Sequence, residues 1–454
     1  MNPRRAFLHH AGGLSAAGVL GLLGTAAGLG LNRSAGAADY RALVCVFLNG
    51  GNDGNDTLVP TDAAYNDYAR ARPGLALPKD SLIPLSGVSI GHSFGIHPGL
   101  AALAPLYAQG RLAWIANVGP LIVPSTADQV IHRQVKLPPF LLSHSDQMAM
   151  QQGWLGDTDP SGWGGRALET MPTDMRHSLA AVSMTNRRTL VLGKQSPVSW
   201  VDGNGYQRYW GTADLISPAA DWTRAVQGLG RMQSANAYEA EFARTLNGSF
   251  TDSMEVAQAL SSAPAPSGNF PSGELGNRLR TIAQLLPVWK AVGKRRQIIL
   301  VEWGGFDTHS IQRGTEASAQ DPQLATLGQA LAAFDTATRA SGLDANVVTC
   351  VMSDFGRTLK PASGNGTDHA WGNNWWVMGG PVMGARAYGQ FPTLTLGGPD
   401  DFDLRASGRW VPTTSTDQFA ATLVNWLGVP PDKLPGVFPN LANFAQKSLG
   451  FLSA

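Results

Sequence analysis

Carboxylate and imidazole side chains follow three apolar segments of this chain at the points where those segments end. The segment "VCVFL" leads into Asp53, "RQIILVEW" leads into Asp307 and His309, and "NVVTCVM" leads into Asp354. Carboxylate oxygens combined with neutral imidazole nitrogens suit Zn²⁺ or Mn²⁺, whereas a set made only of oxygens favours Ca²⁺ or Mg²⁺. These residue types therefore predict a divalent metal site, with Zn²⁺ or Mn²⁺ favoured over Ca²⁺ or Mg²⁺.

A segment rich in glycine and asparagine, "GNGTDHAWGNNWW", adds another imidazole. It carries Asp368 and His369, shortly after Arg357. A single histidine is more commonly a hydrogen-bonded loop or core residue, but the combined set favours metal binding by Asp53, Asp307, His309, Asp354 and His369. Arg357 could clamp an anionic oxygen through two parallel hydrogen bonds, or it could form a structural ion pair.

The elements that position these residues are five short apolar segments with the composition of buried strands. They are "RALVCVFL", "RLAWIANV", "LAAVSM", "RQIILVEW" and "NVVTCVM". Their apolar residues are continuous rather than alternating, as expected for parallel strands that are covered on both faces. Helical patterns such as "PQLATLGQALAAFDTATRASG" separate some of them, which predicts an α/β fold with a doubly wound, mainly parallel sheet and helices on both faces. Ligands of such sheets bind outside the carboxyl ends of the strands, so the candidate ligands are expected to meet there.

The first 37 residues have the pattern of an export signal. Arg4 and Arg5 precede a weakly hydrophobic stretch rich in glycine and alanine, and "SAGAAD" offers a cleavage site near Ala37. This pattern resembles a twin-arginine signal, which predicts use of the twin-arginine export machinery, a periplasmic or secreted location and no stable membrane span after cleavage. Residues 38–454 are then expected to form one α/β domain, in which residues of about 205–295 form a helical elaboration.

The bulk composition excludes some partners and leaves the cysteines as core residues. The 454 residues carry a formal charge of +1, and without Arg4, Arg5 and Arg33 the chain has 31 basic and 33 acidic residues. No basic stripe is present, so nucleic acid is not expected as a partner. Cys45 and Cys350 each lie within an apolar segment, which favours buried thiols over a disulfide.

Several motifs, in this order along the chain, resemble one bacterial exported family. They include "FLNGGNDGNDTLVP", "IHPGLAALAPLY", "IANVGP", "SHSDQ", "GGFDTH", "SDFGRT", "GTDHAWG" and "PTTSTDQFAATLVNWLG". The family is the one called domain of unknown function 1501, which is similar in turn to the alkaline phosphatase superfamily with its sulfatases. The resemblance covers nearly the whole mature chain and implies an alkaline phosphatase-like fold.

The resemblance also implies roles for individual residues. Asp53 matches the ligand after the first strand, Asp307 and His309 match an Asp…His pair, and His369 matches the closing histidine. Asp354 matches the first member of an Asp-His pair, but the next residue here is Phe355. The departure at this position leaves open whether one or two metal ions bind.

The nucleophile of such an enzyme has two candidates in this sequence. Ser145 in "LLSHSDQMAMQQGW" could lie at a helix N-terminus, where main-chain N–H groups stabilise a phosphate or sulfate, or it could be an ordinary helix cap. Thr57 is the second candidate because it lies within a turn of Asp53. His144 could be a metal ligand, an acid or base, or a packed loop residue.

The combined pattern predicts an exported metal-dependent hydrolase or transferase that acts on a phosphate or sulfate ester. The first alternative is a non-catalytic envelope or glycan-binding protein with a phosphatase-like scaffold. Trp371, Trp375 and Trp376 could face sugar rings in that case, although a covering layer over the core is favoured for them. A second alternative is an α/β-type serine hydrolase, since "GHSFG" (91–95) fits G-x-S-x-G, but the strand and helix that a nucleophile elbow needs are not adjacent to it.

Overall fold

The computed structural model describes residues 39–156, 158–203 and 221–453. The predicted export signal, residues 1–37, and residues 204–220 of the predicted helical elaboration lie outside the described residues. The account below concerns the compact unit Arg41–Ala454. Across its described ranges, no helix combines the length and the apolar character needed to cross a membrane.

Strands and helices alternate along much of the described chain. The strands are β1 Arg41–Leu48, β2 Leu58–Pro60, β3 Ile83–Ser89, β4 His92–Ile96, β5 Leu112–Gly119, β6 Ala181–Ser183, β7 Ser199–Trp200, β8 Arg296–Trp303, β9 Val347–Ser353, β10 Asn373–Met378, β11 Arg386–Gly389 and β12 Thr414–Ser415. The helices are α1 Gly54–Thr57, α2 Tyr65–Ala71, α3 Ala104–Ala108, α4 Ala127–Ile131, α5 His144–Gln151, α6 Trp163–Thr170, α7 Asp221–Gly230, α8 Ala237–Ser262, α9 Glu274–Ala291, α10 Gln320–Ala340, α11 Thr416–Leu427 and α12 Leu434–Val437. Helices α7, α8 and α9 fall within the segment predicted to be helical.

A mainly parallel sheet forms the centre of the fold. Nine of the described strands join it in the order β11-β5-β10-β9-β1-β8-β6-β7, with β12 paired to β5 as well. The strand β10 is antiparallel to β9 and to β5, whereas the other pairs are parallel. All five segments predicted to be strands belong to this sheet, and the mixed α/β class is confirmed. Strands β2, β4 and β3 form a separate antiparallel sheet.

The register of the three central strands aligns their carboxyl ends. Leu48, the last residue of β1, pairs with Trp303 of β8 on one side and with Ser353 of β9 on the other. The segments that follow these strands therefore leave the sheet side by side. These are the segments that carry most of the candidate ligands.

The strand β1 is buried on both of its faces. Leu43, Cys45 and Phe47 point to one face and pack in a core cluster with residues of α6 and α11. Val44 and Val46 point to the opposite face and are equally inaccessible to solvent. Because successive residues of a strand point to opposite faces, burial of both sets means that the sheet is covered on both sides. This explains why the strand sequences are continuously apolar.

The two cysteines are neighbours across this buried sheet. Cys45 of β1 pairs in register with Cys350 of β9, and both are buried free thiols. The expectation of core thiols is confirmed.

Candidate metal centre

Four side chains meet beyond the carboxyl end of the sheet. Asp307 and His309 follow β8. An antiparallel bridge between Arg357 and His369 brings the glycine-rich loop, residues 364–372, next to them. The fourth is His144, the first residue of α5. The structure thus brings together three of the five predicted metal ligands and adds a histidine whose role the sequence left open.

The histidines converge on one carboxylate oxygen. Asp307 Oδ1 lies 3.0 Å from His309 Nε2, 3.3 Å from His369 Nε2 and 3.3 Å from His144 Nε2. The Nε2 atoms of His309 and His369 are 3.0 Å apart. Ligand atoms of His144, Asp307 and His369 all lie within 4.8 Å of one another, close enough for one ion to contact all three.

Each of these histidines is held through its other ring nitrogen. Nδ1 of His144 lies 2.7 Å from Asp354 Oδ2, Nδ1 of His309 lies 3.2 Å from Asp368 Oδ1, and Nδ1 of His369 lies 2.8 Å from the main-chain oxygen of Leu142. Carboxylates and carbonyls only accept hydrogen bonds, so each ring can donate its proton through Nδ1 and leave Nε2 free to bind a cation. In that tautomer the lone pair of each Nε2 faces Asp307, which is how metal-ligating histidines are usually fixed.

With Nδ1 protonated, this arrangement favours a cation at its centre. The lone pairs of the imidazoles and of the carboxylate then repel one another at these distances, and a cation between them removes the repulsion. Moreover, His144 Nε2 is shielded from solvent and has no hydrogen-bond partner among the described residues. A divalent cation would satisfy these atoms, and a mixed nitrogen and oxygen set of this kind suits Zn²⁺. The residues present therefore fit the predicted type of cofactor.

Arg357 lies behind the cluster as a structural cation. It is fully buried, and it donates to the main-chain oxygens of Gly51 and Thr367, each at 2.9 Å, and to Asp307 Oδ1 at 2.5 Å. Burial raises the pKa of Asp307, but the hydrogen bond and charge of Arg357 outweigh it and hold the pKa at about 2. Asp307 is therefore ionised at neutral pH. Since its guanidinium is enclosed in this way, Arg357 matches the structural ion pair rather than an exposed anion clamp.

Two of the histidine pKa values shift in opposite directions. The hydrogen bond to Asp354 raises the pKa of His144, against the effect of burial. Burial lowers the pKa of His369, although its hydrogen bond to the main chain of Leu142 opposes this. His369 is thus biased toward the neutral form that can bind a cation.

The structure places the other two predicted ligands outside the group around Asp307. Asp53 is fully buried; its Oδ2 accepts hydrogen bonds from Arg72 and, at 2.7 Å, from Gln312, and its Oδ1 accepts one from the main chain of Asn55 at 3.0 Å. Asp354 is also buried and contacts His144 instead of Asp307. Both carboxylates are therefore already occupied by hydrogen-bond donors of the protein.

The candidate nucleophiles differ in their accessibility. Thr57 is fully buried in α1 and donates its hydroxyl to the main chain of Gly54 at 3.1 Å, so a substrate cannot reach it. Ser145 is exposed in the first turn of α5, directly after His144. Its hydroxyl lies 3.2 Å from Asp146 Oδ2. Of the two, Ser145 is the one that a substrate can approach.

The residues that orient the imidazoles carry little sequence signal. Leu142 acts through its main-chain oxygen, which any residue type would supply. Asp368 precedes His369 but contacts His309, and Asp354 contacts a histidine 210 positions away. Asp368 is next to the candidate ligand His369 in the sequence, but this position does not predict that Asp368 contacts His309.

The tryptophans and the G-x-S-x-G sequence, on which the alternative functions rested, both have structural explanations. Trp371, Trp375 and Trp376 are all buried, as the interpretation of a layer over the core predicts. The sequence "GHSFG" lies mainly in β4, an antiparallel strand, and the short helix Pro98–Leu103 is capped by His97. Ser93 is thus within a strand and not at a strand-to-helix turn, so the nucleophile elbow is absent there.

Three solved structures resemble the chain at low identity. They are Ps i-CgsB in complex with k-i-k-neocarrahexaose (10% identity, TM-score 0.35, covering 88% of this chain and 77% of that one), the C-terminal periplasmic domain of EcEptC from Escherichia coli in complex with Zn (12%, 0.30, 87% and 84%), and a 2-O GAG sulfatase (9%, 0.30, 90% and 76%). At these TM-scores the likeness assigns no function to this chain.

A family model places the chain more firmly. No curated protein matches the sequence. The model described as "Protein of unknown function (DUF1501)" matches residues 40–402, which include every residue of the candidate metal centre. Since this match spans most of the chain, the protein belongs to the DUF1501 family.

Proposed function

We propose that this protein is an exported metal-dependent enzyme that hydrolyses or transfers a phosphate or sulfate ester. The observation that carries the proposal is the convergence of Nε2 of His144, His309 and His369 on Asp307 Oδ1. In its finer form, the proposal includes a doubly wound, alkaline phosphatase-like fold, a periplasmic or secreted location reached by twin-arginine export, and an anionic ester, on a glycan or another carrier, as substrate.

Different residues of the chain would bind the cation and orient its ligands. Asp307 and the imidazoles of His309 and His369 form the ligand set, with His144 at its buried side. Arg357 donates a hydrogen bond to Asp307 and so stabilises its ionised form. A bound divalent cation would offset the charge on the ester oxygens and lower the pKa of a neighbouring hydroxyl group or water.

The reaction breaks the bond between the ester oxygen and phosphorus or sulfur. In hydrolysis a water molecule supplies the new oxygen, and in transfer an acceptor hydroxyl supplies it. In both cases the carrier leaves as an alcohol, which takes up the proton that the attacking O–H group releases. Ser145 is the proposed nucleophile for a route through a covalent intermediate because it is exposed beside His144. Its hydroxyl proton has an acceptor close by, since Asp146 Oδ2 lies 3.2 Å away.

The test combines metal analysis with turnover. Mature protein, stripped with a chelator and reloaded with Zn²⁺ or Mn²⁺, is assayed with p-nitrophenyl phosphate and p-nitrophenyl sulfate. Wild type should bind metal and cleave at least one ester, and Asp307→Ala and His309→Ala should lose both properties. His132→Ala is the matched control, because His132 is an exposed histidine that pairs with Asp128 away from this group. Equal metal content and turnover in wild type and the two site variants would refute the proposal.

The non-catalytic alternative retains one structural argument. Thr57 and Arg357, two of the residues considered for catalysis, are enclosed by main-chain contacts. The buried tryptophans, however, remove the aromatic surface that favoured glycan binding. Metal binding without cleavage of either ester, together with binding to a glycan array, would select this alternative.

A further inference from the structure

Asp354 and His144 form a carboxylate–imidazole pair behind the candidate metal centre. Asp354 Oδ2 lies 2.7 Å from His144 Nδ1, and the Asp354 residue is 1% exposed. The contact joins the end of β9 to the start of α5. It fixes the ring so that Nε2 faces Asp307, 3.3 Å from its Oδ1.

Main-chain donors hold both oxygens of Asp354. Oδ2 accepts from the main chain of Gly50 at 3.1 Å as well as from His144, and Oδ1 accepts from the main chain of Gly51 at 2.5 Å. The hydroxyl of Ser353 lies 3.1 Å from Oδ1, but its single proton has a nearer acceptor in the main-chain oxygen of Leu48, at 2.7 Å. Because the oxygen nearest the imidazole, Oδ2, already has two donors, Asp354 is placed to orient His144.

The ring of Phe355 occupies the space beside two of the imidazoles. Its centroid lies 4.6 Å from the ring centroids of His144 and of His369. A histidine at position 355 would have offered an imidazole from the end of β9. Here the imidazole at this side of the site comes from α5 instead.

We infer that His144 supplies an imidazole nitrogen to the bound cation, and that Asp354 acts through His144 as its positioning residue, not as a ligand. The inference rests on the proposed function only in that it requires a cation to bind. It assigns the buried end of the site to a segment, residues 143–151, that follows none of the central strands. It also gives the glycine pair after β1 a function, since the N–H groups of Gly50 and Gly51 hold the carboxylate in place.

A double-mutant cycle tests whether Asp354 works through His144. The affinity for Zn²⁺ is measured by competition with a chromophoric chelator for wild type, His144→Ala, Asp354→Asn and the double variant. Asp354→Asn should weaken binding by about 10–100-fold, the usual loss on removing an orienting partner of a histidine ligand. In the His144→Ala background the same substitution should cause almost no further loss, because coupled residues are non-additive. The visible absorption of bound Co²⁺, which depends on ligand number and geometry, should change in the same variants.

Asp368→Asn is the matched control for the Asp354 substitution. Asp368 also accepts from Nδ1 of a ligand histidine, His309, but its side chain is 53% exposed and solvent can replace it. Its loss of Zn²⁺ affinity should be clearly smaller. Thermal unfolding of each variant separates weakened metal binding from a failure to fold.

Two results would overturn the inference. One is His144→Ala that binds Zn²⁺ as tightly as wild type. The other is an equal loss from Asp354→Asn with and without His144, which would make Asp354 a direct ligand or a purely structural residue. Both results are distinct from failure of the proposed function, which would appear as wild-type protein that binds metal through His144 but cleaves neither ester.

Discussion

The guanidinium of Arg357 donates a hydrogen bond to Asp307 Oδ1 at the point where three imidazole nitrogens converge. The same guanidinium binds the main-chain oxygens of Gly51 and Thr367. It thus links the loop after β1, the loop after β8 and the glycine-rich loop. The geometry of the candidate metal centre depends on this one buried side chain.

Arg357→Met should therefore destabilise the fold and not only alter the site. The variant leaves the main-chain oxygens of Gly51 and Thr367 without this donor, and an unsatisfied buried group costs about 1–3 kcal/mol. The lost pair with Asp307 adds less, because the Asp307 side chain is about half exposed. Urea unfolding measures the change. Arg70→Met is the control, since Arg70 is exposed and pairs with Asp67 on the surface, where a pair is worth about 1 kcal/mol or less. Equal losses in the two variants would contradict this account.

Asp53→Asn tests whether Asp53, in the segment after β1, is a structural residue or a metal ligand. Because Asp53 is in a fully buried ion pair with Arg72, the substitution should lower the free energy of unfolding by about 3–5 kcal/mol. Folded variant protein should nevertheless keep its bound metal, as measured by elemental analysis below the unfolding temperature. Loss of metal from folded protein would instead restore Asp53 as a ligand.

Gly51→Ala should disrupt the loop that holds Asp354. Gly51 has a φ of +78°, and a Cβ there would lie 2.4 Å from the ring of Phe355. Strain and overlap together predict a loss of about 2–4 kcal/mol in thermal or urea unfolding. Gly293→Ala is a matched control: its φ is +85°, but no neighbouring heavy atom lies within 4 Å of the added Cβ. If the two substitutions cost the same, the overlap with Phe355 has no energetic weight.

Asp417 predicts a pH dependence of stability that is separate from the metal centre. Burial raises the pKa of its carboxyl to about 7, although the charge of Arg166 and a hydrogen bond from the main chain of Asn440 oppose the shift. The folded protein keeps a proton that the unfolded chain has released, so this group's contribution to stability is lost as pH rises from about 4 to 7.

Asp417→Asn removes that titration. Relative to wild type, the variant should gain on the order of 2–3 kcal/mol between about pH 5 and pH 8. Urea unfolding across this pH range measures the difference, with Asp67→Asn, at a partly exposed carboxyl, as the control. Parallel stability profiles for wild type and the Asp417 variant would rule out the raised pKa.

The sequence predicted the parts of the site that follow from strand order. Asp307 and His309 follow a continuous apolar segment, and their position at the edge of the sheet needs only the rule for carboxyl ends of parallel strands. The partners of Asp53 and Asp354 could not be predicted in this way. Arg72, at the end of α2, and His144, at the start of α5, meet them only because of how these helices pack. The strand β10, which inserts antiparallel between β9 and β5, was not predicted either.

The neighbouring thiols of Cys45 and Cys350 bear on whether the protein folds before or after it crosses a membrane. Both lie in the innermost strands and are inaccessible to solvent once the sheet has formed. A chain that crosses a membrane only after it has folded would carry them, already enclosed, into an oxidising compartment. Oxidants and thiol-exchange catalysts outside the cell could not reach them there. Reduced thiols in the exported protein would therefore indicate that the sheet had formed before export.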